Sequence, residues 1–316
     1  MATYQTYTAI GQREDLSDVI YNISPTDTPM ISSIGKTKAT AVYHEWQVDS
    51  LSAPTLGNAA VEGDTASDAT MSPTTRVGNR TQISQKTVKI SGTLQAVDKA
   101  GRKSEKAYQL AKASAEIKRD METIVLSNQV AANGNSTTAR KLGGLQAWLA
   151  TNGDFGTGGS AGASGTTART NGTNRTFTED ILKSVIRKVF TAGGNAKVLM
   201  VNPAHKQLVS SFAGIAAQRF MAPANTPTTI VAAADVYLSD YGSVSVIPNR
   251  MMSSTNSCDE TAFVLDPDMA AIAYLRPFQT NELAVTGDNE STQLLCEYTL
   301  EVKNEAAHGI AADLTP

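Results

Sequence analysis

The spacing of hydrophobic positions changes several times along the chain, and each change marks an element. From 42 to 48, Val42, Trp46 and Val48 share one parity with His44, the two-residue period of a half-buried strand. A second strand is predicted at 88–96, with Val88, Ile90, Leu94 and Ala96 on one side and Thr87, Lys89, Thr93 and Gln95 on the other. These two strands bracket a Gly, Ser, Thr and Asp-rich stretch, which predicts one long hairpin with its tip within 52–82. The period then lengthens. Over 98–132, Ala107, Leu110, Ala113, Ile117, Met121, Ile124 and Asn128 recur at helical steps, while Lys103, Lys106, Lys112, Glu116, Lys118, Arg119 and Glu122 take the remaining surface. A helix of that length would span on the order of 45–50 Å, with Asn133-Gly134 as its stop.

Before the hairpin, residues 1–35 are mostly polar. Leu16, Val19, Ile20 and Ile23 offer one amphipathic turn ahead of the breaks at Pro25 and Pro29, so this part reads as an extended arm carrying one small helix. After the long helix, 153–174 is a low-complexity Gly, Ser, Thr and Ala loop. Thr178 can then cap a helix whose inner face is Ile181, Leu182, Val185, Ile186 and Val189, ended by Gly193-Gly194. A strand at 197–201 leads into Asn202-Pro203, which opens a second short helix reaching Phe212. Further strands are predicted at 236–238, 243–247, 262–265 and 271–275. The cleanest alternation comes last: Leu294, Cys296, Tyr298, Leu300 and Val302 face in, and Glu297, Thr299 and Glu301 face out. The class is α+β, without βαβ repetition.

Composition sharpens one part of this picture. No aromatic residue occurs between Trp46 and Tyr108. The apolar residues there are chiefly Leu51, Leu56, Val61, Met71, Val77 and Ile83, too few to offset the entropy of ordering so long a segment. It must lie on something else, which points to assembly rather than catalysis. Across 316 residues the charged content is 18% and the net charge −3, so the chain has no global attraction to a polyanion. Cys258 and Cys296 are far apart and form no CxxC pair, so neither a disulfide framework nor a zinc site is indicated. The start lacks the basic and apolar regions of an export signal, and no apolar run reaches membrane-spanning length.

Candidate chemistry is sparse. Gly158-Gly-Ser160-Ala-Gly162 has the letters of a hydrolase nucleophile elbow, and Gly156-Thr-Gly158-Gly-Ser-Ala161 those of a dinucleotide loop. Both need a strand before and a helix after, and neither is predicted, so a solvent loop is the reading. His44, His205 and His308 form no metal-binding pair. Lys99, Arg102, Lys103 and Lys106 cluster at the start of the long helix, a patch able to meet acidic neighbours or nucleic acid, or simply a solvated face. No catalytic, cofactor or metal site follows from the residues.

An ordered set of short motifs carries a resemblance. These are Ser24-Pro-Thr-Asp-Thr-Pro29, Ile34-Gly-Lys36, Glu45-Trp46 with Asp49 and Leu51, Arg76-x-Gly-Asn79 with Gln82-Ile83, and Glu116-Ile-Lys-Arg-Asp-Met-Glu122. Gly143-Gly-Leu145, Asn202-Pro203, Pro248-Asn-Arg250, Asp266-Pro267, Leu275-Arg-Pro277, Glu297-Tyr-Thr-Leu300, Asn304-Glu305 and His308-Gly309 follow. Nearly end to end, the chain resembles the tailed-bacteriophage major capsid proteins of the Hong Kong 97-type capsid fold, in a group with a DUF5309-like sequence. The resemblance implies an N-terminal arm at 1–35 and an extended loop with its flanking strands at 36–97. It implies a peripheral-domain spine helix at 98–145, an axial domain at 146–257, and return strands of the peripheral domain at 258–316. It further implies self-assembly into pentamers and hexamers, forming an icosahedral shell around packaged double-stranded DNA that is touched without specificity. Assembly would take place in the bacterial host cytoplasm with no membrane involved, and portal, scaffold or cement proteins are implied as further partners. Trp46, Asp49, Arg76 and Arg80 are the candidate inter-subunit contacts. Three rivals remain: an encapsulin-like nanocompartment shell, a secreted surface or adhesion protein, and a hydrolase using Ser160.

Overall fold

The computed structural model describes residues 24–63, 65, 68–99, 101–212, 235–254 and 258–315. The turn expected around Leu16 to Ile23 lies outside them. Helix α1 (Pro29–Ser33) comes first. Pro29, read above as a break, instead opens it, because the first turn needs no N–H from proline and its fixed φ suits the helix. Strands β1 (Gly35–Lys38), β2 (Tyr43–Val48), β3 (Thr75–Arg80) and β4 (Gln82–Ser91) follow, then α2 (Gly92–Ala96), the spine helix α3 (Glu105–Leu126), α4 (Leu145–Trp148) and β5 (Gly153–Asp154). The rest is α5 (Glu179–Thr191), β6 (Val198–Val201), α6 (Pro203–Ser210), β7 (Val236–Ser239), β8 (Gly242–Pro248), β9 (Ala262–Leu265), β10 (Ala270–Glu282), β11 (Asn289–Val302) and β12 (Gly309–Ala311).

Among the described residues the strands form three sheets, ordered β1-β10-β11-β4, β5-β12-β9-β6-β8-β7, and β2-β3. This corrects the predicted hairpin. β2 pairs with β3, from Tyr43↔Arg80 to Val48↔Thr75, whereas β4 leaves the ribbon and runs antiparallel to β11 from Gln82↔Tyr298 to Ser91↔Asn289. Leu94 and Ala96, assigned to a strand, belong to α2, which Ser91 caps by accepting the N–H of Leu94. The parity survives where the strand does, with Val88 and Ile90 turned toward the body.

The spine helix is also shorter than its pattern. Ser104 caps it and it stops at Leu126, 22 residues in all, about 33 Å. Ala107 is exposed, and the buried stripe is Ala113, Ile117, Met121, Val125 and Leu126. The flanking residues of the predicted helix are drawn off into other contacts: Ser127 Oγ donates to the Ile124 carbonyl at 2.7 Å and Asn128 Nδ2 to the Arg169 carbonyl at 2.7 Å.

Two cores meet at one wall. Val198 and Met200 of β6, with Phe263 and Leu265 of β9, join the core containing α3 and the four-stranded sheet. Leu199 and Val201, with Ala262 and Val264, join the core under α5 and α6. Every position of both strands is therefore buried, which is why they read as unbroken apolar runs. Of the strands after 258, β10 and β11 lie in the four-stranded sheet, and β9 and β12 lie in the six-stranded one.

β11 keeps its predicted inward face: Leu294, Cys296, Tyr298, Leu300 and Val302 are buried. Its other face was expected to meet water, yet Glu297 and Thr299 are buried too. Thr81, Arg140 and Arg276 donate to the Glu297 carboxylate. The low-complexity loop is solvated over more than half of its residues, Gly158 and Ser160 among them, but packs on the body at Gly156, Gly162, Gly165 and Arg169. Gly165 sits with φ +69 where an added Cβ would lie 2.6 Å from the Trp148 Nε1, and its carbonyl and N–H bond Ala131 and Ala147. Small residues there serve close approach.

Candidate inter-subunit surface

The root of the loop at 49–74 is built before the loop begins. His44, Trp46 and Val48 turn inward from β2, and the Trp46 ring packs on the buried Trp148 with centroids 5.5 Å apart. On β3, Gly78 lets the two strands close: a Cβ there would stand 2.7 Å from the His44 carbonyl oxygen. Asn79 is fully buried, donating from Nδ2 to the carbonyls of Gly143 at 3.0 Å and Leu300 at 2.9 Å, while its Oδ1 accepts the Gly143 N–H at 2.8 Å. Every polar group of that side chain is thus used, which fixes the ribbon to the body at a desolvated point.

Charge reinforces the same root. The buried Glu297 carboxylate accepts from Thr81 Oγ1 at 2.9 Å, from Arg276 Nε at 2.8 Å, and from Arg140 Nη2. Two guanidinium groups therefore compensate one desolvated carboxylate, and removing either partner would leave charge poorly matched. Glu301 accepts from Thr37 Oγ1 at 2.7 Å and lies 3.2 Å from His44 Nε2.

Past this root the chain turns outward. Asp49 accepts the N–H of Ser50 at 2.9 Å, and beyond it Leu51 is 99% exposed, Met71 90% and Val61 75%, with Leu56 fully in solvent. Burying a side chain of this size is worth roughly 1.5–3 kcal/mol, a gain this chain by itself leaves unrealised. Of the other candidate contacts, Trp46 faces the body. Arg76 lies outward in an exposed pair with Glu45 at 3.0 Å, the kind worth little. Arg80 stacks over the Tyr43 ring at 4.6 Å. The aromatic gap in the sequence located this loop, but Asn79, Arg140 and Glu297 were missed as its anchors because no local spacing links them.

The remaining candidates have structural surroundings. The basic cluster at the spine start meets acids: Arg102 pairs with Glu105, and Lys106 lies 3.0 Å from Glu282 and 3.3 Å from Glu290. His205 and His308 are buried, and desolvation holds both below the usual histidine pKa. Burial pushes the Cys258 and Cys296 thiols up to about 12. Ser160 bridges Thr170, with no helix following it. Among the described residues no three His, Cys, Asp or Glu side chains are grouped to hold a metal ion, and no helix is long and apolar enough to cross a membrane.

Comparison with known proteins decides the family. The model of the SU10 major capsid protein family matches residues 2–315. The chain belongs to the SU10 major capsid protein family. The match names this group rather than the DUF5309-like grouping suggested by the motifs. The SU10-family chain is 30% identical to the major capsid protein of Escherichia phage Phieco32 over 344 residues, covering 97% of this chain and 96% of that one. Its fold is similar to that in the capsid asymmetric unit of cyanophage A-1(L), with TM-score 0.68, 13% identity and coverage of 96% and 98%. It is also similar to the SrpI encapsulin of Synechococcus elongatus, with TM-score 0.56, 12% identity and coverage of 96% and 92%. The Hong Kong 97-type fold expected from the motifs is therefore present, and this SU10-family protein is a structural component of a phage capsid shell.

Proposed function

We propose that this capsid protein assembles into pentamers and hexamers that close an icosahedral head around packaged double-stranded DNA, with the loop at 49–74 lying on a neighbouring subunit. One observation carries the reading: a loop with four fully or largely exposed apolar side chains leaves a root immobilised by Trp46, Asn79 and Glu297. A rigid root presents the loop in one direction, so little ordering entropy is lost when a second copy covers it. Repeated weak contacts around a closed shell then multiply avidity. Asp49, Arg76 and Arg80 contribute to the contact from the outer side of the ribbon, and Trp46 acts from beneath as its anchor.

In this reading 1–35 is the arm, 36–97 the extended loop with its strands, 98–145 the spine of the peripheral domain and 146–257 the axial domain. Residues 258–316 return to the peripheral domain, with β9 and β12 also serving the axial sheet. Assembly takes place in the host cytoplasm with portal, scaffold or cement proteins as further partners, DNA is touched without specificity, and the chain has no catalytic role. Deleting 55–75 tests this: a folded subunit by circular dichroism that makes no shells under negative-stain microscopy is expected, and normal heads would refute it. The encapsulin likeness supports a second reading, a cargo-filled compartment. The end-to-end match to a capsid family favours the first, and DNA-free particles enclosing an enzyme would reverse that order.

A further inference from the structure

The chain contains three Asn-Gly pairs, Asn133-Gly134, Asn152-Gly153 and Asn171-Gly172. Such a pair carries its own chemistry, because a glycine nitrogen unhindered by a Cβ can reach the amide carbon of the preceding asparagine. The glycine nitrogen bonds to Cγ, and its proton leaves with the side-chain NH2 as ammonia, closing a succinimide ring. Water then opens the ring at either carbonyl, to aspartate or isoaspartate. The step needs an asparagine side chain free to turn back onto the next peptide and a glycine N–H that is not engaged. Asn152 fails the first condition: it is buried, and its Nδ2 donates to the carbonyls of Ala306 at 2.7 Å and His308 at 3.0 Å. Asn133 and Asn171 are exposed. Asn133 lies between the Ala132↔Lys141 bridge and the turn in which the Asn135 N–H donates to the Thr138 carbonyl at 2.9 Å. Among the described residues neither its amide nor the Gly134 N–H has a hydrogen-bond partner.

The turn itself demands the reactive glycine. Gly134 takes φ +64, and an added Cβ would lie 2.7 Å from the Arg140 backbone nitrogen, so no larger residue fits after Asn133. The product would also fall at a particular place. Asn133, Gly134, Thr138 and Arg140 line one open cleft of about 390 Å³ with Ile83. Arg140 there donates from Nε to the Thr81 carbonyl at 2.6 Å and from Nη2 to Glu297, which Arg276 also meets at 2.8 Å. Two guanidinium groups thus face one carboxylate, so a second carboxylate is received and not repelled. We infer that Asn133 is a site of self-modification, where an exposed amide converts to a carboxylate in the cleft of Arg140. Each copy thereby gains negative charge with age, next to the residue that helps fix the root of the loop at 49–74.

The test uses the unaltered full chain, held at neutral pH over a time course, digested and mapped by mass spectrometry, with isoaspartate labelled by an isoaspartyl methyltransferase. Conversion at Asn133 should run at least about tenfold faster than at Asn152, whose two hydrogen bonds must break before it can react. An Asn133 that stays intact, or converts no faster than Asn152, would overturn the inference. The placement beside Arg140 has its own readout. In low salt Asn133→Asp should unfold at a higher denaturant midpoint than Asn133→Ser, and added salt should erase the difference, as for an exposed charge near a guanidinium. Equal midpoints in low salt would show that the new charge does not meet Arg140, and would sink that half of the inference whatever the rate at Asn133.

Discussion

Arg169 and Asp313 form an ion pair 2.7 Å long in which both side chains are fully buried. Arg169 Nε also donates to Gln146 Oε1 at 3.1 Å, and its backbone N–H to Asn128 Oδ1 at 2.8 Å. The second Asp313 oxygen accepts the Gly156 N–H at 2.9 Å. One pair thus ties the Gly-rich loop, the end of the spine helix and the C-terminal segment together. Because both charges have left water, losing one partner strands the other, and Arg169→Met or Asp313→Asn should cost about 3–5 kcal/mol. Denaturant unfolding of dispersed subunits measures this, and a change below about 1 kcal/mol would show the pair to be dispensable.

Trp46 is the apolar contact between the loop root and the body. Trp46→Ala should destabilise the subunit by roughly 2–4 kcal/mol, less than a fully buried tryptophan because the ring is only half covered. Trp46→Phe should retain most of the stability. Unfolding midpoints of the two variants, compared with shell yield by microscopy, separate loss of folding from loss of loop direction.

Glu122 gives the stability a pH dependence. Its carboxylate accepts the N–H groups of Met30 at 2.7 Å and Ile31 at 2.9 Å and the Asn249 amide at 2.7 Å, with no cation in contact among the described residues. Burial outweighs those three donors and raises its pKa above the usual glutamate value. The folded state therefore keeps this proton to higher pH than the unfolded chain, so the contribution is full below the unfolded pKa and falls as pH rises through the folded one. Glu122→Gln should remove that slope. It should also cost about 1–3 kcal/mol across the range, since the amide NH2 would face a backbone N–H. Denaturant midpoints across the acidic to neutral range read both effects, and identical slopes in the two proteins would exclude Glu122 as their source.

Dispersed subunits should be cut by a broad-specificity protease within 50–74 first, with the β2–β3 ladder and the spine intact. In shells the same bonds should be protected. Mass spectrometry of the fragments locates the cuts, and a loop equally resistant at high dilution would mean that it folds on its own chain.

Period and composition alone determined much of this protein. The spine helix, α5, α6 and the inward face of β11 were legible because each element's burial follows one regular repeat that neighbours in sequence share. The loop was legible through what it lacks. Only the tertiary structure decided that β2 pairs with β3 and that β4 pairs with β11, since strand partners are chosen by contacts between residues far apart in the chain. The same holds for the buried faces of Glu297 and Thr299, for the packing of Gly165 on Trp148, and for the meeting of Arg169 with Asp313. A hydrophobic pattern records that a face is covered, whereas the identity of what covers it is set by long-range packing and by the matching of desolvated charges.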